Sequence, residues 1–129
     1  MPPTRILIVD DHHPFADALA LTLACVEGFE VVGHARDGAA GVMQALELRP
    51  DVVLMDLQMP RLDGVEATRL LAGAAPELAV IAMSGVAGEE QIDRALAAGA
   101  RAFVRKERSI VELARTVAEC AAGPALVAA

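Results

Sequence analysis

The sequence predicts a doubly wound parallel α/β domain, with five strands in the order 2-1-3-4-5 and five helices. Short apolar, β-branched runs alternate with stretches of helical period along the whole chain. The runs are apolar throughout, without in-out alternation, as expected of strands buried on both faces. The 129 residues suit one domain, long enough to bury roughly two-thirds of the surface its unfolded chain exposes. Right-handed crossovers leave such a chain few topologies, and this strand order is a common one.

Arg5 to Val9 is the first strand, and it ends at Asp10-Asp11. A helix is expected from about Pro14, stopped by Glu27-Gly28. Phe15, Ala18, Leu19, Thr22, Leu23 and Val26 recur at helical spacing and mark its inner face. Phe29 to Gly33 is the second strand. The second helix runs from Gly38 to Leu48, with Asp37 as N-cap, Val42, Ala45 and Leu46 as its apolar stripe, and Pro50 beyond its end. Val52 to Met55 is the third strand, ending at Asp56. Leu57 to Asp63 is a loop containing Pro60, and a third helix runs from near Gly64 to Gly73. Leu78 to Met83 is the fourth strand, ending at Ser84-Gly85. The fourth helix, Glu89 to Ala98, is closed by Gly99. Ala102 to Val104 is a short fifth strand that ends near Lys106. Ser109 caps a fifth helix with Ile110, Leu113, Val117 and Cys120 on one face, and Gly123-Pro124 stops it. Residues 1–123 therefore form the domain, and 124–129 a frayed tail or the start of a linker.

Composition narrows the function. No apolar run approaches the roughly 20 residues of a membrane span, and the N-terminus lacks a signal-peptide plan, so the expected location is the cytoplasm. The formal net charge is −7, and an acidic domain without a basic stripe is a poor direct binder of nucleic acid. Cys25 and Cys120 match no zinc or redox spacing and are expected as buried thiols. No G-x-G-x-x-G follows the first strand, which disfavours a dinucleotide site.

Sheets of this kind bind ligands beyond the carboxyl ends of their strands. The residues standing there are Asp10-Asp11, Asp56, Ser84 and Lys106. With the first and third strands adjacent, three carboxylates crowd one cleft. Close carboxylates repel and raise one another's pKa, and a hard divalent cation relieves this. Oxygen ligands without His or Cys favour Mg²⁺ or Mn²⁺ over zinc. The loop carbonyl of Gln58 is the candidate for a further protein ligand. Lys106 is the only lysine in a chain whose other cations are arginines, which suggests a need for a compact point charge. A hydroxyl and an ammonium facing a metal-bound carboxylate make a phosphoryl-binding set, in which Asp56 is the candidate nucleophile for an aspartyl phosphate.

These same stretches, Ile6 to Asp11, Pro50 to Pro60, Leu62-Asp63-Gly64, Met83-Ser84-Gly85 and Phe103 to Lys106, resemble the response-regulator receiver family. The resemblance reaches to about Gly123, and Asp-x-x-Met-Pro-x-x-Asp-Gly from Asp56 to Gly64 is its most specific part. It implies a flavodoxin-like receiver fold and a signalling switch, not a turnover enzyme. Asp56 would accept a phosphoryl group from a histidine kinase or phosphotransfer protein. Asp10, Asp11, Asp56 and the Gln58 carbonyl would hold Mg²⁺, and Ser84 and Lys106 would contact the phosphoryl group. Phe103 stands where the family has its switch aromatic, an ordinary core role being the alternative. The readout face, which also offers a homodimer contact, would be the fourth helix, fifth strand and fifth helix. Gln58 and Val86 occupy positions that tune dephosphorylation, and a bulky Val86 implies a long-lived phosphoform. Glu30 to Ala35 and the helix after Asp63-Gly64 look like the branch that usually carries a C-terminal LuxR-type helix-turn-helix, so transcription regulation is the expected output where such a domain follows.

Three departures from the family pattern stand out. His12-His13-Pro14 is one residue longer than the usual run after the acidic pair, and both histidines are expected in solvent instead of on a metal. Ser84 replaces the commoner Thr. Glu107 follows Lys106 where many receivers have Pro, so a trans peptide is expected. A rival reading, a metal-dependent phosphatase with an aspartyl nucleophile, needs an acidic residue where Gln58 stands. A second, a receiver that is never phosphorylated, conflicts with the complete acid, hydroxyl and lysine set.

Overall fold

The structure is a computed structural model that describes residues 2–59, 62–108 and 110–122, without the Ile110 side chain. The chain folds as β1 (Thr4–Val9), α1 (His13–Ala24), β2 (Phe29–Ala35), α2 (Gly38–Leu48), β3 (Val52–Asp56), α3 (Gly64–Ala74), β4 (Ala79–Ser84), α4 (Glu89–Ala98), β5 (Ala102–Arg105) and α5 (Ile110–Ala122). The sheet has the expected order β2-β1-β3-β4-β5, and every pairing is parallel. Pro60, the Ser109 cap, the Gly123-Pro124 stop and the tail lie outside the described residues. No peptide bond among the described residues is cis.

The period of two along each strand divides the core. Ile6, Ile8, Leu54 and Ile81 point to one face and pack on Leu19 and Leu23 of α1 and Leu113 and Val117 of α5. Leu7, Val9, Val53 and Met55 point to the other and pack on Ala45 of α2 and Leu71 of α3. A third group beneath α4 joins Leu57, Ala82 and Ala95. Each fully buried Leu, Ile or Val side chain contributes about 1.5–3 kcal/mol. β3 and β4 are buried over their whole length, which is why their sequences carry no polar alternation.

Several boundaries and faces differ from expectation. In α1 the buried residues are Ala16, Leu19 and Leu23, whereas Ala18 and Thr22 face solvent. The Thr22 hydroxyl donates to the Ala18 carbonyl at 2.8 Å, so it needs no core partner. The helix ends at Ala24, and Gly28, at φ 89°, turns the chain into β2. Cys25 lies in this turn and is exposed, not buried, because it follows the helix and does not join its inner face. Cys120 packs at the edge of the core, and burial raises its thiol pKa. In α2 Leu46 is exposed; Gly38, Gly41 and Ala45 are the buried positions, small enough to bring the helix onto the sheet. Asp37 caps that helix as expected, accepting from the Ala40 amide at 2.8 Å. β2 continues to Ala35 through a register shift opposite Ile6 and Leu7.

Asp63 caps α3 by accepting from the Glu66 amide at 2.8 Å, and the first turn then lies against the end of β3. A Cβ on Gly64 would meet the Asp56 carbonyl oxygen at 2.1 Å. Gly64→Ala is therefore expected to lower stability by about 1–3 kcal/mol in urea unfolding. Gly73→Ala, in the same helix with nothing within 4 Å of its Cβ, should instead be neutral or gain about 0.5–1 kcal/mol.

Candidate functional site

The strand order sets the site. β1 and β3 are neighbours, with Val9 opposite Met55, so the next residues, Asp10 and Asp56, emerge side by side. Both are buried, at 0% and 1% exposure, while Asp11 is exposed at the rim. Oxygens of Asp10, Asp11 and Asp56 lie within 4.8 Å of one another. Lys106, one residue past β5, reaches across with its Nζ 2.8 Å from Asp10 Oδ2 and 3.4 Å from Asp56 Oδ2. The Phe15 ring, at the start of α1, covers the ammonium with its centroid 4.7 Å away. That apolar lid limits solvation of the cation and strengthens its pull on the carboxylates.

The two buried carboxylates are held alike. Asp10 Oδ1 accepts from the His12 amide at 2.8 Å, and Asp56 Oδ1 accepts from the Gln58 amide at 3.0 Å. Each is a local turn to a backbone amide two residues on. Each leaves Oδ2 turned toward Lys106. Asp10 Oδ2 is buried and takes no hydrogen bond from the described residues; Lys106 meets it as an ion pair. Such an oxygen, in an all-carboxylate cluster, fits a hard divalent cation of the Mg²⁺ or Mn²⁺ kind. Burial pushes the Asp56 carboxyl up to about 6; the Gln58 amide opposes this, the Asp10 charge adds to it, and Lys106 opposes it.

The remaining predicted residues are placed differently. Ser84 ends β4 and is fully buried, but its Oγ accepts from the Val86 amide at 3.0 Å and the Ala87 amide at 2.9 Å, facing its own loop. Val86 is 77% exposed. The Gln58 side chain leaves the hollow and donates to Gln91 Oε1 of α4 at 2.6 Å. Phe103 is half-buried on the α4 side of the sheet, away from Lys106. His12 and His13 are exposed as expected, and neither belongs to the acidic cluster found among the described residues.

Three residues at the site escaped the sequence reading. Phe15 was read as part of the inner face of α1, and it does pack against the core there. Its contact with the Lys106 ammonium was not foreseen, although its position just after the acidic loop could have signalled it. His34 Nε2 lies 3.0 Å from the Asp10 backbone oxygen, a contact hidden until the length of β2 is known. Arg105, next to Lys106, donates to the Ala87 carbonyl at 3.1 Å.

Residues 6–118 match the family described as the response regulator receiver domain. The chain is 37% identical over 113 residues to the response regulator GacA of Pseudomonas viridiflava, covering 88% of this chain and 53% of that one. It is 34% identical over 119 residues to the transcriptional regulatory protein LiaR of Bacillus subtilis, covering 92% and 56%. The chain thus spans about half the length of the curated relatives it matches. Its fold is similar to the signal receiver domain of NarL from Mycobacterium tuberculosis, with a TM-score of 0.91 at 29% identity, covering 95% of this chain and 99% of that one.

The raised Asp56 pKa fixes a pH dependence for the metal-free protein. From the ordinary value of 3.8 up to about 6, the folded state binds a proton at Asp56 that the unfolded state has lost. Stability therefore falls as pH rises through that window. Asp56→Asn keeps an acceptor for the Gln58 amide and carries no charge. It is expected to be more stable at neutral pH by on the order of 2 kcal/mol, with the gap closing below about pH 4. Urea unfolding in EDTA across this range checks it, and an Asn variant no more stable at neutral pH would contradict the electrostatic account.

Proposed function

The chain belongs to the response regulator receiver domain family, and on that footing we propose that Asp56 is its phosphoacceptor, drawing on a histidine kinase or phosphotransfer protein. The observation that carries this is the single buried hollow in which the Lys106 ammonium lies 2.8 Å from Asp10 and 3.4 Å from Asp56. In the reaction an Asp56 carboxylate oxygen attacks the phosphorus of a phosphohistidine. The new O–P bond forms as the N–P bond breaks, and the imidazole leaves with the bonding pair. With a carboxyl pKa of about 6, Asp56 is ionised at neutral pH and so available as nucleophile. Its burial leaves the nucleophile poorly hydrated, and Lys106 stands ready to neutralise phosphoryl oxygens.

Asp10, Asp11, Asp56 and the Gln58 carbonyl are the residues that would hold Mg²⁺ or Mn²⁺, which when bound supplies charge neutralisation for the phosphoryl oxygens. Phosphorylation adds about −1.5 to −2 charges at Asp56. That charge favours a state in which the Ser84 hydroxyl donates its proton to the phosphoryl group and Phe103 turns inward. The change is read on the face of α4, β5 and α5, where a cavity of about 450 Å³ is lined by Ile92, Phe103, Arg108, Glu112 and Thr116. Histidine-kinase signalling through residues 1–123, a homodimer on this face, a cytoplasmic setting and transcriptional output through a following DNA-binding domain complete the reading. The chain catalyses only its own phosphorylation and slow dephosphorylation. No helix among the described residues is long and apolar enough to cross a membrane.

Acetyl phosphate with Mg²⁺ should label the protein with one phosphoryl group by intact mass, and Asp56→Asn should take none. Labelling of the Asn variant at another residue would reject the assignment. Val86 and Gln58 stand two positions beyond Ser84 and Asp56, where a bulky Val86 hinders in-line water. The phosphoform is expected to last minutes or longer with Mg²⁺ present, and a half-life of seconds would remove Val86 from that role.

A further inference from the structure

We propose that Arg105 is a positioning residue that latches the loop between β4 and α4 away from Asp56, so that its guanidinium sets how readily the site closes on a phosphoryl group. This rests on the phosphoacceptor reading of Asp56. Along β5, Val104 packs beneath α1 and α5, whereas Phe103 packs beneath α4. Arg105, two residues beyond Phe103, falls on the same side as that ring. Its guanidinium carbon lies 5.5 Å from the ring centroid, and its Nη1 donates to the Ala87 carbonyl at 3.1 Å.

Ala87 is thereby held from both directions. Its carbonyl takes the arginine, and its amide donates to Ser84 Oγ at 2.9 Å. The Val86 amide occupies the same oxygen at 3.0 Å. Both lone pairs of the Ser84 hydroxyl are thus engaged inside the loop. Ser84 and Arg105 are also partners across the pairing of β4 and β5, so latch and hydroxyl share one rung of the sheet. Ser84 would serve a phosphoryl group on Asp56 by donating its hydroxyl proton, which the two accepted bonds leave free. In the proposed closed state the loop carries that hydroxyl toward Asp56 and gives up the Arg105 contact. A charge-assisted hydrogen bond from a half-buried arginine stabilises the present arrangement. Arg105 and Lys106 then divide the work at the strand's end: the lysine serves the acceptor and the arginine opposes closure over it. Removing the guanidinium removes an interaction of the open state, which shifts the population toward the closed one.

The test uses Arg105→Met, which keeps a stem to cover Phe103, and Arg105→Ala. Titration calorimetry with beryllofluoride and Mg²⁺ reports closure, Mg²⁺ alone reports the acidic hollow, and amide exchange at Val86 and Ala87 reports the loop. Both variants are expected to bind beryllofluoride about threefold to tenfold more tightly than wild type, the size of one lost hydrogen bond. Their loop amides should exchange faster without ligand, while Mg²⁺ binding stays unchanged. Simple structural damage would weaken binding, so a gain in affinity distinguishes the latch. Wild-type binding with unchanged or weaker binding in the variants overturns the latch. Failure of the wild type itself to bind beryllofluoride overturns the reading of Asp56 instead, and the latch with it.

Discussion

Two buried carboxylates share one ammonium at the carboxyl end of the sheet, and the rest of the structure is arranged around that imbalance. Asp10 and Asp56 are almost wholly removed from water, and among the described residues Lys106 is the cation that faces both. Bringing an unpaired ion into a protein interior costs several kcal/mol, so one positive charge against two negative ones leaves a residue of strain. The fold limits it by giving each carboxylate a backbone amide from its own turn. It does not abolish it, as the raised Asp56 pKa records. A hollow with surplus negative charge, one unbonded buried oxygen and a third carboxylate at its rim is short of cations. That shortage makes the fixed scaffold responsive, because whatever arrives there changes the balance of charge.

The scaffold is stiff where the charge must be placed and looser where shape is to change. β3 is buried throughout and hydrogen-bonded on both sides, and α3 lies so close to its end that Gly64 leaves no room for a Cβ beside the Asp56 carbonyl. β5 is the opposite case. It has four residues, all half-buried, and a single neighbouring strand. Asp56, the proposed acceptor, thus sits on a fully buried central strand, and the residues proposed to respond lie on or beside an edge strand, which costs less to rearrange.

Much of this was legible from residue order. Unbroken apolar runs mark strands buried on both faces, and the rule that ligands gather at strand ends then singles out Asp10, Asp56, Ser84 and Lys106 without coordinates. Asp37 as a cap was readable because its role is local. What failed depended on how elements meet. Ala18 and Thr22 have helical spacing as good as that of Ala16, but the approach of α1 to the sheet decides which side is buried. Leu46 gives way to Gly41 because close packing of α2 on Val9 rewards a missing side chain over a large one. Ser84 was placed correctly, yet the direction of its hydroxyl is set by two amides of a loop whose shape no spacing encodes.

The pair Arg105-Lys106 shows why neighbours in sequence can hold opposed roles. Side chains on a strand alternate sides, so two adjacent cations at the end of β5 enter different environments. Lys106 turns to the carboxylates under Phe15, where a compact ammonium satisfies two acceptors at once. Arg105 turns to a ring and a carbonyl, which suit a planar, weakly hydrated donor. Exchanging the two residue types would suit neither environment: a guanidinium is a planar fork, not a point charge shared by two carboxylates, and an ammonium stacks less well on a ring. The choice of one lysine among ten arginines therefore follows from geometry at the strand's end. It also means that a shift of β5 must move both cations together, so charge arriving at Asp56 is felt by the loop that Arg105 holds.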